Sequence, residues 1–141
     1  MEAFMDDFNR KRHAVYKLTY HAVFVIKYRR KVMSEPIIDH MRQYAAHLID
    51  QCYQGKLIEL NGEPDHIHIL FDAGPEVQVL DLVRVIKTKT ARFARKQYPK
   101  ELKEYFWKPV FWTDSYFAST VGNTTRNMVE QYIRKQGQKQ T

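Results

Sequence analysis

One run, Pro64-Asp65-His66-Ile67-His68-Ile69-Leu70, constrains the fold more than any other stretch of this chain. Imidazole and isoleucine alternate with a period of two. That is the period of a β-strand, in which successive side chains point to opposite faces. Ile67 and Ile69 therefore face a core, while His66 and His68 share the other face. Two neutral imidazoles side by side can hold one divalent cation if a further donor completes the shell. Taken alone, such a pair on a strand is more often structural or accidental than a metal site. Near the C-terminus, Glu130-Gln131-Tyr132-Ile133-Arg134-Lys135-Gln136 places a tyrosine and a glutamine four residues apart, on one helical face. A cation, a phenol and a basic chain together point to phosphodiester chemistry on nucleic acid.

The remaining pattern supplies the elements around this strand. His13 to Tyr28 is rich in β-branched and aromatic residues and predicts a long first strand, followed by a basic loop at Arg29-Arg30-Lys31. Ser34-Glu35-Pro36 opens a helix whose stripe is Ile37, Met41, Tyr44, Ala45, Leu48 and Cys52, with Gly55 as its expected stop. Lys56 to Leu60 reads as the second strand, Asn61 to Pro64 as a turn, and His66 to Asp72 as the third strand. A long helix is expected from about Val77 to Gln97, with Val79, Leu82, Val83, Ile86, Thr90 and Phe93 on its apolar face. Pro99 ends it, and Glu101 to Trp107 forms one helical turn. Phe111 to Val121 is the fourth strand, and a last helix runs from about Thr125 to Gln138.

The order β-α-β-β-α-β plus a terminal helix predicts an α+β fold. This is the ferredoxin-like split, a four-stranded antiparallel sheet with two helices on one face. Its first and third strands are the central pair. The histidines then lie mid-sheet on the uncovered face, where the terminal helix can bring Tyr132 and Gln136 towards them. No repeat or linker divides the chain, so residues 1–141 are expected to form one domain, with 1–12 as a flexible N-terminal extension.

Composition narrows the function. Lysine and arginine outnumber the acids 23 to 16, a net charge of +7 that favours a polyanionic partner. Arg29, Arg30 and Lys31 in the loop, and Arg84, Lys87, Arg92 and Arg95 on the long helix, are candidates to meet phosphates. Tyr28, Trp107, Trp112 and Tyr116 are candidates to stack on unpaired bases. For any one of these residues, a solvated face or a place in the core is an equal alternative. A single cysteine, Cys52, allows no internal disulfide and fits a reducing, cytoplasmic setting. There is no signal-peptide pattern, and no apolar run approaches the ~18 residues of a membrane helix.

Four segments carry a family resemblance. They are Lys27 to Val32, Pro64 to Leu70, Trp112-Thr113-Asp114-Ser115-Tyr116-Phe117-Ala118-Ser119-Thr120-Val121-Gly122, and Tyr132 to Gln136. In this order and spacing, from about Ala14 to Gln136, the chain resembles the single-tyrosine HUH transposases, small enzymes of bacterial insertion sequences that move as single-stranded DNA. The resemblance implies that His66 and His68 are metal ligands, Gln136 the third ligand and Tyr132 the nucleophile. It further implies a divalent cation (Mg2+ or Mn2+), a 5′-phosphotyrosine intermediate, single-stranded DNA with hairpin ends as partner, and a homodimer without nucleotide cofactor. In some members the terminal helix of one subunit completes the other's site. Three rivals fit less well, one of them a catalytically inactive descendant that only binds hairpins, against which the intact motif residues argue. A histidine-triad nucleotide hydrolase needs a third histidine where Leu70 stands. A non-catalytic DNA- or RNA-binding ferredoxin-like module explains fold and charge but not the paired histidines with Tyr132 and Gln136.

Overall fold

The computed structural model describes residues 9–11, 14–123 and 125–139. Seven residues of the third strand, His66–Asp72 (β5), form the spine of a four-stranded sheet. β5 pairs antiparallel with Thr19–Val25 (β3) on one side and Lys56–Glu63 (β4) on the other. Phe117–Thr120 (β6) completes the order β4-β5-β3-β6. β3 and β5 are the central pair, as the α+β reading expects.

One face of this sheet carries the main core. Ala22, Phe24, Ile67, Ile69 and Phe71 are buried there against two helices, Glu35–Tyr53 (α1) and Val79–Gln97 (α2). The helices contribute Ile38, Met41, Ala45 and Ile49 from α1, and Leu82, Val83 and Ile86 from α2. Trp112 closes the layer, donating its indole N–H to Thr90 Oγ1 at 3.0 Å. The other face bears a smaller cluster of Val23, Val25, Val129 and Ile133, through which Arg126–Lys139 (α4) lies across the sheet. No helix among the described residues is long and apolar enough to cross a membrane.

Several boundaries differ from the sequence expectation. The first strand is not continuous from His13. Ala14–Tyr16 (β2) folds back onto Asn9–Lys11 (β1) as a separate two-stranded sheet, because β5 ends opposite Thr19. Asn9–Lys11 fall within the expected N-terminal extension. Residues 1–8, 12 and 13 lie outside the described residues. The second strand runs on to Glu63, pairing Asn61 with His68 and Glu63 with His66, so the turn is tighter than the glycine and proline suggested. The short helix after Tyr98 is Pro99–Lys103 (α3), earlier than the expected turn at Glu101.

The fourth strand is shorter than expected, and its shortening matters for the site. Val23 pairs with Phe117 and Ile26 bridges Trp112, so three steps along β3 face five along the other chain. The surplus residues leave the ladder as a loop at Asp114–Tyr116, an enlarged bulge.

Helix α1 stops at Gln54, which itself takes the left-handed conformation (φ 51°, ψ 31°). Gly55 is required for a different reason from the one its position suggested. A Cβ there would stand 2.5 Å from the Asp72 carbonyl oxygen and 2.8 Å from Ile49 Cγ2. Gly55→Ala is therefore expected to destabilise the protein by about 1–3 kcal/mol through overpacking. Urea unfolding measures this, and an unchanged midpoint would contradict it.

Candidate active site

The register of β5 sets the site. His68 lies opposite Val23 and His66 opposite Val25, so both imidazoles share the face that α4 covers. His66 is buried and His68 half-buried. They line a cavity of about 550 Å³ together with His21, Glu63 and Arg29 from the sheet side and Arg126, Val129 and Arg134 from α4.

The turn at Lys27–Arg29 is shaped to serve this cavity. Tyr28 (φ 61°) and Arg29 (φ 52°) are two consecutive non-glycine residues in the left-handed region, a conformation tolerated only where the surroundings enforce it. The surroundings are backbone bonds that tie the segment to its neighbours: Ile26 N–H to Asp65 O at 2.8 Å and Met33 N–H to Pro64 O at 2.9 Å. The turn aims Arg29 Nε at Asp65 Oδ2, 3.0 Å away, while Asp65 Oδ1 meets His66 Nδ1 at 2.7 Å. Burial alone would raise the Asp65 carboxyl, but the bonds and charges of His66 and Arg29 outweigh it and hold the group below the usual carboxylate range.

Burial, and then the neighbouring His66 and His21, push His68 down to about 4, so it is a neutral donor at physiological pH. Two imidazoles with a carboxylate beside them form a donor set that suits a divalent first-row cation or Mg2+. Glu63, Asp65 and His66 have ligand atoms within 4.8 Å of one another, and Asp65 is already engaged.

Tyr132 and Gln136 are brought together, but not into this cavity. They occupy the neighbouring face of α4 and meet the bulge between Trp112 and Phe117. Tyr132 Oη is 2.8 Å from Ser115 Oγ, which donates to Gln136 Oε1 at 3.2 Å. Gln136 is buried, and the Tyr132 ring packs on Phe117 with centroids 5.9 Å apart. Burial raises the Tyr132 pKa, while bonding to Ser115 and Thr113 opposes the rise. The resting phenol is protonated.

The basic candidates are dispersed. Arg29 lies at the cavity, and Arg30 and Lys31 are exposed beside it in sequence. Arg84, Arg92 and Arg95 belong to α2, in the layer on the far side of the sheet, and Arg84 pairs with Asp81 at 2.7 Å. Lys87 reaches the sheet edge, donating to the Asp114 carbonyl at 3.0 Å. Sequence reasoning passed over His21, Glu63, Ser115, Arg126 and Arg134. His21 was detectable, since it is the polar residue in phase with Val23 and Val25.

Comparison with known proteins places this arrangement. Residues 14–136 match the model of the family described as "Transposase IS200 like". The chain belongs to the IS200-like transposase family. It is 32% identical to the ISDra2 transposase TnpA of Deinococcus radiodurans over 95% of this chain and 94% of that one. It is 27% identical to the IS200 transposase of Salmonella typhimurium over 94% and 85% of the two chains. A crystal structure of a Deinococcus radiodurans R1 protein assigned as a transposase superposes with a TM-score of 0.78 at 32% identity, covering 91% of this chain and 97% of the other. The structure of a REP-associated tyrosine transposase bound to a REP hairpin shares the fold, with a TM-score of 0.52 at 11% identity over 94% and 76% of the chains. As an IS200-like transposase, the protein is a DNA-cleaving and strand-transferring enzyme of DNA recombination.

The depressed His68 pKa has a definite sign. The unfolded chain takes its proton near 6.5 and the folded chain only near 4, so stability is complete above about 6.5 and declines as pH falls towards 4. An NMR titration of the metal-free transposase should find His68 titrating near 4. A midpoint at 6.5 would refute the buried placement.

Proposed function

We propose that this transposase nicks and rejoins single-stranded DNA at the ends of an insertion sequence, through a 5′-phosphotyrosine formed on Tyr132. The observation that carries the reading is that α4 lies on the histidine face of the sheet, with Tyr132 and Gln136 one helical face away from the cavity holding His66 and His68. His66 and His68, joined by Gln136 once its amide parts from Ser115, would hold a divalent cation, Mg2+ or Mn2+, which would supply charge neutralisation at the scissile phosphate and help to orient it for in-line attack.

The chain's own groups do the rest. Arg29, Arg126 and Arg134 rim the cavity and meet non-bridging phosphate oxygens. Tyr132 Oη parts from Ser115 and turns to the histidines of its own or a partner subunit. As the Oη–P bond forms the phenolic proton leaves, the P–O3′ bond breaks, and the 3′ oxygen takes up a proton. The phosphotyrosine keeps the energy of the broken phosphodiester, so a second 3′-hydroxyl attacks it, restores a phosphodiester and releases Tyr132 without a nucleotide cofactor. One tyrosine per subunit suits a homodimer of single-domain chains that cuts two ends and exchanges them. Hairpin-forming ends are the proposed DNA partner, by analogy with the hairpin-bound neighbour.

Tyr132→Phe is expected to lower nicking of an end-bearing oligonucleotide by about 10³-fold or more while leaving DNA binding near the parent level. A denaturing gel should show a protein–DNA adduct with the parent enzyme that disappears with EDTA and with Tyr132→Phe. Binding without any adduct at saturating Mg2+ and Mn2+ would favour the non-catalytic module.

Electrostatic steering adds a further expectation. Binding of single-stranded ends should weaken steeply between 50 and 200 mM salt, with a slope of log K on log salt of about −0.7 per phosphate contacted. A flat salt response in a filter-binding or anisotropy titration would contradict phosphate contacts at the cavity rim.

A further inference from the structure

Two imidazoles facing one cavity are not yet a pair of ligands, because each neutral ring has only one nitrogen free to donate a lone pair. Which nitrogen that is depends on the hydrogen bond made by the other. For His66 the choice is fixed. Asp65 Oδ1 only accepts, so at 2.7 Å it keeps the proton on His66 Nδ1 and leaves Nε2 as the donor to a cation. Arg29, at 3.0 Å from Asp65 Oδ2, holds the carboxylate in place.

Among the described residues, no carboxylate pairs with His68 Nδ1 as Asp65 does with His66. What lies there is the Nε2 of His21, 3.4 Å away, with the two rings parallel to within 8°. His21 stands on β3 beside the histidine strand, in phase with Val23, and its ring is set edge-on against Phe117 (71°, centroids 6.3 Å). His21 Nε2 is thus the hydrogen-bond partner that His68 Nδ1 meets among the described residues.

We propose that His21 is a positioning residue. Its Nε2 accepts the Nδ1 proton of His68 and so turns the His68 Nε2 lone pair into the cavity, as Asp65 does for His66. The pair would then present two Nε2 donors through two different supports, one on the adjoining residue and one on the neighbouring strand. The inference deepens the metal reading of the proposed function and rests on it.

Two measurements test it. In metal-free, 15N-histidine-labelled protein, long-range 1H–15N spectra report the tautomer of each ring directly. The expected result is a proton on Nδ1 of both His66 and His68, and a proton on His68 Nε2 would overturn the proposal. The second measurement is Mn2+ affinity, read from the EPR signal of free Mn2+. His21→Leu removes the acceptor and should weaken Mn2+ binding 10–100-fold, while His21→Gln, which can place an amide oxygen near the same position, should recover most of it. Equal loss in both variants, or none in His21→Leu, overturns the assignment. His66→Ala separates the two levels of failure. If it abolishes Mn2+ binding while His21→Leu does not, only His21 loses its role. If it too binds normally, the metal reading falls and the proposal with it. Should His21→Leu fail to fold, the tautomer measurement on the parent protein still decides.

Discussion

A single strand with two unlike faces organises this molecule. Ile67, Ile69 and Phe71 are fully buried on one side of β5, each contributing about 1.5–3 kcal/mol of apolar burial. His66 and His68 stand on the other side. A slip of one residue in register would expel all three apolar side chains from the core and drive both imidazoles into it. The main core therefore fixes where the histidines point, far more firmly than anything in the cavity does. The same register brings Glu63 opposite His66 and Asn61 opposite His68, so the polar lining is set by packing on the opposite face.

The site is built in two halves, each satisfied within itself. The strand half runs from Arg29 through Asp65 to His66, with His21 against His68. The helix half runs from Tyr132 through Ser115 to Gln136. The attachments of the two layers are unequal. Helices α1 and α2 bury an extensive apolar face, whereas α4 is held mainly by Val129 and Ile133 on Val23 and Val25. Few buried apolar contacts mean a low local opening free energy. The helix carrying the phenol is thus the most weakly docked of the three long helices.

Much of this was legible in the chain because it follows from periodicity. The alternation at His66–Ile69 specified both the strand and its two faces, and the stripe Leu82, Val83, Ile86 specified the buried side of α2. What stayed hidden depended on pairing between distant segments. Strand four was expected to run unbroken from Phe111, since its residues are β-prone throughout. Only the mismatch between Val23–Ile26 and Trp112–Phe117 reveals that Ser115 leaves the ladder. The stop of α1 shows the same limit. Gly55 carries a helix-ending composition, yet Gln54 takes the left-handed turn, because the glycine is needed where β5's backbone passes within a side chain's reach.

Charge was the least transferable signal, and the geometry explains why. The basic residues read along α2 lie in the helix layer, beyond a sheet, on the opposite side from the histidines. Their solvent-facing charges lie on the far side of both the helix layer and the sheet from the cavity, more than a Debye length of ~10 Å at 0.1 M salt away, so their field there is weakened by screening. In the proposed reading a phosphate beside His66 and His68 would be met by Arg29, which the basic loop run did advertise, and by Arg126 and Arg134 of α4, which no charge run did. Two of these are already balanced, Arg29 by Asp65 and Arg126 by Glu130. Among the described residues Arg134 has no carboxylate partner within salt-bridge distance, which leaves it the least compensated positive charge at the rim. Net charge therefore accounts for attraction to a polyanion in general. In the proposed reading, discrimination of one phosphate from the rest would fall to the few cations that the sheet and α4 hold beside the imidazoles.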